Sequence, residues 1–172
     1  IRAAVDSLKV VKGRIAVNEI GSARWLAYTF IEADRASWSS FREVGLYQVT
    51  AEAIKAANSA GLIGEADLWG SDAALWEKLR SAEHPGVKEL VELITPGTRF
   101  TWSEEQPVFR VKTKVRSIDP PVASGNSVTP LSALDPAFAH YRNEYLASKQ
   151  GRWPMGIVSA ASWPNNHMRR TE

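Results

Sequence analysis

Asn18-Glu19-Ile20-Gly21-Ser22-Ala23-Arg24-Trp25-Leu26-Ala27-Tyr28-Thr29-Phe30-Ile31-Glu32 is the stretch that sets the expected fold. Asn18 suits a helix N-cap, because its side-chain oxygen can accept from an amide that the first turn leaves unpaired. Behind it, Ile20, Ala23, Trp25, Leu26, Ala27, Tyr28, Phe30 and Ile31 occupy most of a helix circumference. A helix that is apolar nearly all round is a central one. The spacing therefore predicts a helix from Asn18 to about Glu32 at the centre of a mainly α fold, with small β-hairpins and only a minor α+β character.

Working outward, Leu8-Lys9-Val10-Val11 and Arg14-Ile15-Ala16-Val17 flank Lys12-Gly13 and read as a hairpin with its glycine in the turn. Downstream, Ser37 caps an expected second helix that runs to Ala60 and stops at Gly61. Trp38, Arg42, Leu46, Val49, Ala53, Ala56 and Ala60 form one stripe of it. A charge among apolar residues needs a partner. Either Arg42 makes an ion pair or reaches water near the helix start, or it points into a polar cavity and grips a phosphate or carboxylate with its guanidinium.

Further helices are expected from Ser71 to about Ala82 and from Pro85 through the Val87, Leu90, Val91, Ile94 stripe to the stop at Thr95-Pro96-Gly97. Asp135-Pro136, an N-cap followed by proline at the first helical position, opens another through about Ser148 with Phe138, Tyr141 and Tyr145 inward. Phe100-Thr101-Trp102 is expected to pair with the basic strand that follows it, Ser124-Gly125-Asn126-Ser127 to be a flexible loop, and Pro154 to Ser159 to add a short strand. The reading is one helical domain over residues 1–160 with a weakly ordered tail over 161–172.

The basic strand is the first candidate for binding. From Val108 to Arg116, Phe109, Val111, Thr113 and Val115 alternate with Arg110, Lys112, Lys114 and Arg116, which is the period of a half-buried strand. Same-face neighbours then sit roughly 7 Å apart, and adjacent cations repel by only about 0.6 kcal/mol in water but several times more in a cleft. Such a ladder is either a solvated edge strand protected by its charges or a row that binds phosphate.

Composition limits the alternatives. With 44% hydrophobic and 23% charged residues, the chain of 172 residues has the balance of a soluble globular protein. Its formal charge is only +2 although its pI is about 9.0, so any cation effect is local and nucleic acid is not an expected partner. It holds no cysteine, which removes disulfides and thiolate chemistry. No apolar run approaches the ~20 residues of a membrane span, so no membrane partner is expected and the cytoplasm is the default location. The chain opens at Ile1, without an initiator methionine, and is expected to be a piece of something longer.

His84, His140 and His167 form neither His-x-x-x-His nor His-Glu-x-x-His, so this chain alone is not expected to bind a metal. There is no Gly-x-Ser-x-Gly elbow, no Gly-x-Gly-x-x-Gly and no P-loop. The chain does not read as a complete enzyme.

The order of hairpin, Asn18-Glu19 helix, Arg35-Ala36-Ser37-Trp38-Ser39-Ser40-Phe41-Arg42-Glu43-Val44-Gly45 and Ala51-Glu52-Ala53-Ile54-Lys55-Ala56-Ala57 resembles the part of HD-domain phosphohydrolases that follows their metal centre. Gly70-Ser71-Asp72-Ala73-Ala74-Leu75-Trp76, His84-Pro85 and Lys112-Thr113-Lys114-Val115-Arg116-Ser117-Ile118-Asp119-Pro120 are similar to the C-terminal half of the bacterial, deoxynucleotide triphosphohydrolase-like branch. The likeness runs from Leu8 to Pro154. It implies a helical HD-like C-terminal region whose metal-binding HD half is not in this chain. It also implies a divalent metal for the complete protein (Mn, Mg, Fe, Co, Ni or Zn), and a nucleotide or other phosphate ester as substrate. By the same resemblance Arg42, Lys112, Lys114 and Arg116, joined by Arg110 of the ladder, face a phosphate or an intersubunit contact. Where the family has an aromatic and a histidine, this chain has Ser39 and Phe41. The other reading is a non-catalytic helical module that binds an anionic partner or mediates oligomerisation.

Overall fold

The computed structural model describes residues 1–114 and 116–158. The expected tail, Val115 of the basic strand and the Ser159 end of the short strand lie outside the described residues. In chain order the elements are α1 (Arg2–Asp6), β1 (Leu8–Val11), β2 (Arg14–Val17), α2 (Ile20–Ala36), α3 (Phe41–Ser59), α4 (Glu65–Leu68), α5 (Asp72–Arg80), α6 (Pro85–Glu92), β3 (Arg99–Trp102), β4 (Phe109–Lys112), β5 (Pro121–Ser124), β6 (Ser127–Pro130), α7 (Leu131–Leu134), α8 (Pro136–Ser148) and β7 (Arg152–Val158). They fall into two compact units. The first is built from Ile1–Ser40 and Thr113–Gly151, the second from Phe41–Lys112 and the segment that starts at Arg152.

In the first unit β1, β2, β5 and β6 form one sheet in that order. The β1–β2 hairpin turns on Lys12 and Gly13, both at positive φ (49° and 75°), the geometry that two-residue hairpin loops favour. β2 runs parallel to β5, with Val17 opposite Val122. β5 returns antiparallel as β6, so the Ser124 to Ser127 segment is a tight hairpin turn, with Gly125 at φ +57°. Val17, Ala23, Ala27, Ile31, Val122, Leu131, Phe138 and Tyr145 make the core. Asp135 caps α8 by accepting from the Phe138 amide at 3.1 Å, and it also takes the Arg24 guanidinium at 2.5 Å. The Phe138 amide first, and Arg24 second, hold the Asp135 carboxyl below its ordinary range.

In the second unit β7 lies between β3 and β4 and is antiparallel to both. α3 packs on this sheet through Val44 and Phe41 against Phe100, Phe109, Val111, Trp153 and Met155. A glycine at position 45 permits the approach: a Cβ built there would fall 2.6 Å from the Phe100 ring. Towards its other end α3 contributes Ala57 to a second cluster with Ile63, Leu79 of α5 and Val87 of α6. Ser71 caps α5, and Pro85 opens α6 at its first helical positions.

These observations correct the expected fold class. Half of the described residues are helical and a fifth are strand, arranged with two sheets of four and three strands, so the fold is α+β and not mainly α with minor hairpins. The physical reason is strand length. Six of the seven strands have four residues, too few for an alternation to register beside helices of seventeen and nineteen. β7 is longer but carries Pro154, which argues against a central strand; its residue partner Arg110 is far away in sequence. Phe100-Thr101-Trp102 and the basic strand do not pair with each other as expected, because β7 separates them. Nor is α2 apolar on all sides in use: it buries Ala23, Ala27, Ile31 and Asp34 and leaves Ile20 and Trp25 exposed. Among the described residues no helix is long and apolar enough to cross a membrane.

Candidate functional site

The buried stripe of α2 ends on a carboxylate. Ala23, Ala27 and Ile31 are followed on the same face by Asp34, and all four are fully buried. A carboxylate in the last turn of a helix opposes the negative end of the helix dipole, and burial adds a desolvation cost. The unit answers with donors and cations. The Tyr145 hydroxyl, brought in by α8, donates to Asp34 Oδ2. Ser39 Oγ lies 2.8 Å from that same hydroxyl and 3.0 Å from the Asp34 backbone oxygen. Lys149 Nζ donates to the Ser39 carbonyl at 2.8 Å, and its charge acts on Asp34. Arg35 lies over the Tyr145 and Tyr141 rings, 5.4 and 5.7 Å from their centroids, while pairing with Glu32 at 3.2 Å.

One carboxylate oxygen remains incompletely served. Asp34 Oδ1 is buried without a hydrogen bond among the described residues; Arg116 Nη1 stands 3.8 Å from it, close enough for ionic attraction but too far for a hydrogen bond. The Arg116 guanidinium is laid over the Trp38 ring, 5.7 Å from its centroid, and its side chain is 37% exposed. A guanidinium held by stacking and by a neighbouring charge keeps its planar N–H fork available. Three cations, Arg35, Arg116 and Lys149, thus surround two acids, Glu32 and Asp34. That arrangement can attract an anion.

Protonation follows from the same geometry. Burial first, and the bond to Asp34 second, push the Tyr145 phenol up to about 12. Tyr141 is raised by burial and by its bond to Glu32. Burial lowers Lys149, and the nearby Asp34 charge partly restores it. A phenol whose pKa is raised on folding stabilises the fold fully below the unfolded value near 10 and loses that contribution as pH climbs through 12. The expected result is a stability loss of about 2 to 3 kcal/mol assignable to Tyr145 over that window. Alkaline urea titrations of the wild type and Tyr145→Phe check it; an equally steep decline in the variant would refute the assignment.

Of the five cations expected from sequence, Arg42 lies on α3, and the four of the basic run do not all lie on one strand. Arg42 sits in the first turn of α3, paired with Glu43 at 2.8 Å and donating to the Pro96 carbonyl at 3.3 Å, so it ties a loop within the second unit. Arg110 and Lys112 share a face of β4; Arg110 donates to the Glu104 carbonyl at 3.1 Å, and Lys112 stands opposite Arg152. The strand ends there. Thr113 turns inward and donates to the Lys149 carbonyl at 2.9 Å, Lys114 is exposed, and Arg116 joins the Asp34 cluster in the first unit. Sequence reasoning missed Asp34, Trp38, Ser39, Tyr145 and Lys149 as a constellation. The available signal was an acid in the i, i+4, i+4, i+3 stripe from Ala23 to Asp34, the same logic that was spent on Arg42.

Among the described residues no group of three His, Cys, Asp or Glu side chains is placed to hold an ion; the resemblance assigns its divalent metal to residues outside this chain. No family model matches the chain, and no solved structure matches it. It is 29% identical over 118 residues to the uncharacterized protein YdhJ of Bacillus subtilis (strain 168), an alignment that takes in 69% of this chain and 36% of YdhJ. The chain thus spans about a third of the length of the curated relative it matches.

Proposed function

We propose that this chain is the substrate-completing portion of a phosphohydrolase that acts on a nucleotide or another phosphate ester, with Arg116 as the phosphate-binding cation. The reading is supported by the resemblance of the Lys112 to Pro120 run to HD-domain proteins and carried by one observation: Arg116 is stacked on Trp38, attracted by a buried carboxylate, and makes no hydrogen bond among the described residues. Its fork matches two phosphate oxygens. In this role it would neutralise charge on the group being transferred or released, while Asp34 and Trp38 fix its position. Arg35 and Lys149 add to the local positive field. In this reading the metal chemistry belongs to residues outside this chain.

A thermal-shift panel of inorganic phosphate, nucleoside monophosphates and nucleoside triphosphates tests the reading. A ligand at a hundredfold excess over its Kd stabilises by about 2.7 kcal/mol, so a clear rise in Tm with at least one phosphate ester is expected. Arg116→Ala should remove that rise and Arg42→Ala should keep it. The polypeptide itself should show no turnover with manganese and the same nucleotides. A wild type whose Tm no phosphate compound moves, or robust hydrolysis by the chain alone, would overturn the proposal.

A further inference from the structure

Phe138, Arg142, Tyr145 and Lys149 recur at i, i+4, i+7 and i+11 along α8 and its C-cap, so they share one face. Phe138 and Tyr145 are buried in the core of the first unit. A cation in such a stripe needs an anion beside it. Arg142 has none: its Nε is shut off from solvent without a hydrogen bond, and among the described residues its guanidinium makes no hydrogen bond and no ion pair. The side chain as a whole is half-buried, and so within reach of a ligand.

The chain path brings Arg116 abreast of it. Thr113 Oγ1 donates to the Lys149 carbonyl, at the C-terminal end of α8, at 2.9 Å. Asp119 accepts from Ser132 N and Oγ at 2.9 and 2.6 Å, on the short α7 that leads into the same helix. Residues 113–119 therefore run back along α8. The thirteen residues of that helix are about 20 Å long, and the extended chain from Thr113 to Asp119 covers roughly the same distance, so the segment has little slack. From Thr113 to Arg116 is about 10 Å of extended chain. The same length measured back along the helix from Lys149 is about six to seven residues, and ends at Arg142 or Asn143.

We infer, resting on the assignment of Arg116 to phosphate, that Arg142 is a second guanidinium of the same site, and that the site takes two linked phosphoryl groups, as in a nucleoside di- or triphosphate. One phosphoryl group lies on Arg116 and the next on Arg142. Two guanidinium forks, each matched to a pair of oxygens, call for more free oxygens than the phosphoryl group of a monoester carries. Arg116 already has the Asp34 carboxylate beside it; Arg142 has no such neighbour among the described ion pairs, so its charge is the one left for a second phosphoryl group. A half-buried cation kept without a partner destabilises the empty protein, a loss that binding sites accept and structural positions do not.

Isothermal titration of the full chain with inorganic phosphate and with pyrophosphate, beside the Tm of each variant without ligand, reads the result. The wild type should bind pyrophosphate at least about tenfold more tightly than phosphate, the gain expected from one more charged hydrogen-bonding group. Arg142→Leu should bind the two alike, at the wild-type affinity for phosphate, and should melt no lower than the wild type in the absence of ligand. Arg142→Lys, which keeps the charge but not the fork, should lose most of the preference. Arg116→Ala should weaken both ligands. An Arg142→Leu chain that still prefers pyrophosphate, or that melts lower or fails to fold without ligand, would overturn the inference. A wild type that binds both ligands alike, with Arg116→Ala losing both, would overturn it while leaving the phosphate assignment of Arg116 standing; a wild type that binds neither would overturn the two together.

Discussion

Phe138→Ala should lower the stability of the first unit by about 3 to 5 kcal/mol, the usual cost of deleting a buried aromatic ring. Phe138 has no exposed surface; it sits in the first turn of α8, where Asp135 accepts from its amide, and meets the edge of Tyr28 at a centroid distance of 5.6 Å. Removing the ring leaves a cavity against Ala23, Ala27 and Leu131, members of the same core. Small alanines cannot collapse into it. Phe138→Leu should cost markedly less, because it keeps most of the volume. Urea unfolding gives the midpoint, and hydrogen exchange of the α8 amides reports on this unit alone. Unchanged α8 protection in Phe138→Ala would mean that the ring is not holding the helix to its sheet.

The second large effect belongs to Gly45. A Cβ there meets the Cγ, Cδ1 and Cδ2 atoms of Phe100 at 2.6 to 2.7 Å, near the root of the side chain where a rotation cannot move the ring clear. Gly45→Val should destabilise by about 1 to 3 kcal/mol through overpacking. Gly45→Ala is expected to be milder, since alanine recovers up to about 1 kcal/mol of helix propensity. Phe100→Ala in the same chain should relieve part of the Gly45→Val penalty, a non-additivity expected of residues in contact. Full additivity in denaturant midpoints would show that the two positions do not press on each other.

Local signals in the sequence held at some boundaries and failed at others: Asn18 and Ser37 read as helix N-caps, but α2 follows Glu19 without a side-chain cap and Ser37 ends it. Ser71, Asp135 with Pro136, Pro85 and the Lys12-Gly13 turn all mark boundaries because each acts on its own neighbouring backbone. The β1–β2 hairpin was legible for the same reason. The α2–α3 boundary was not: α3 begins at Phe41 and buries Val44, Gly45, Val49, Ala53 and Ala57, a stripe rotated from the one through Arg42. With the helix start misplaced, Arg42 looked like a core charge, although it sits in the first turn with an ordinary ion pair. The larger omission was long-range pairing. β5 and β7 gain their places from strands far away in sequence, and nothing in four or seven adjacent residues announces a partner at that distance.

Of the candidate site, Arg116 was legible as a cation in an alternating run, but its neighbours were not. Asp34, Tyr145 and Lys149 come together only because α2 and α8 pack through a core of small and aromatic residues, and Thr113 turns the chain inward where the alternation suggested a continuing strand. The sequence period describes what a strand would do if it went on. Pairing with β7 ends at Lys112 opposite Arg152, and the strand stops there.

The placing of β7 between β3 and β4 also sets a timetable. A ribosome makes β3 and β4 early and must finish Val158 before the strand that joins them exists. Until then both present unpaired edges, and the phenylalanines at 100 and 109 face water or one another. Meanwhile residues 113–151 can complete the first unit. Synthesis therefore interleaves the two: one sheet closes while the other waits open, and the waiting sheet is the one most exposed to wrong pairing with a neighbouring nascent chain.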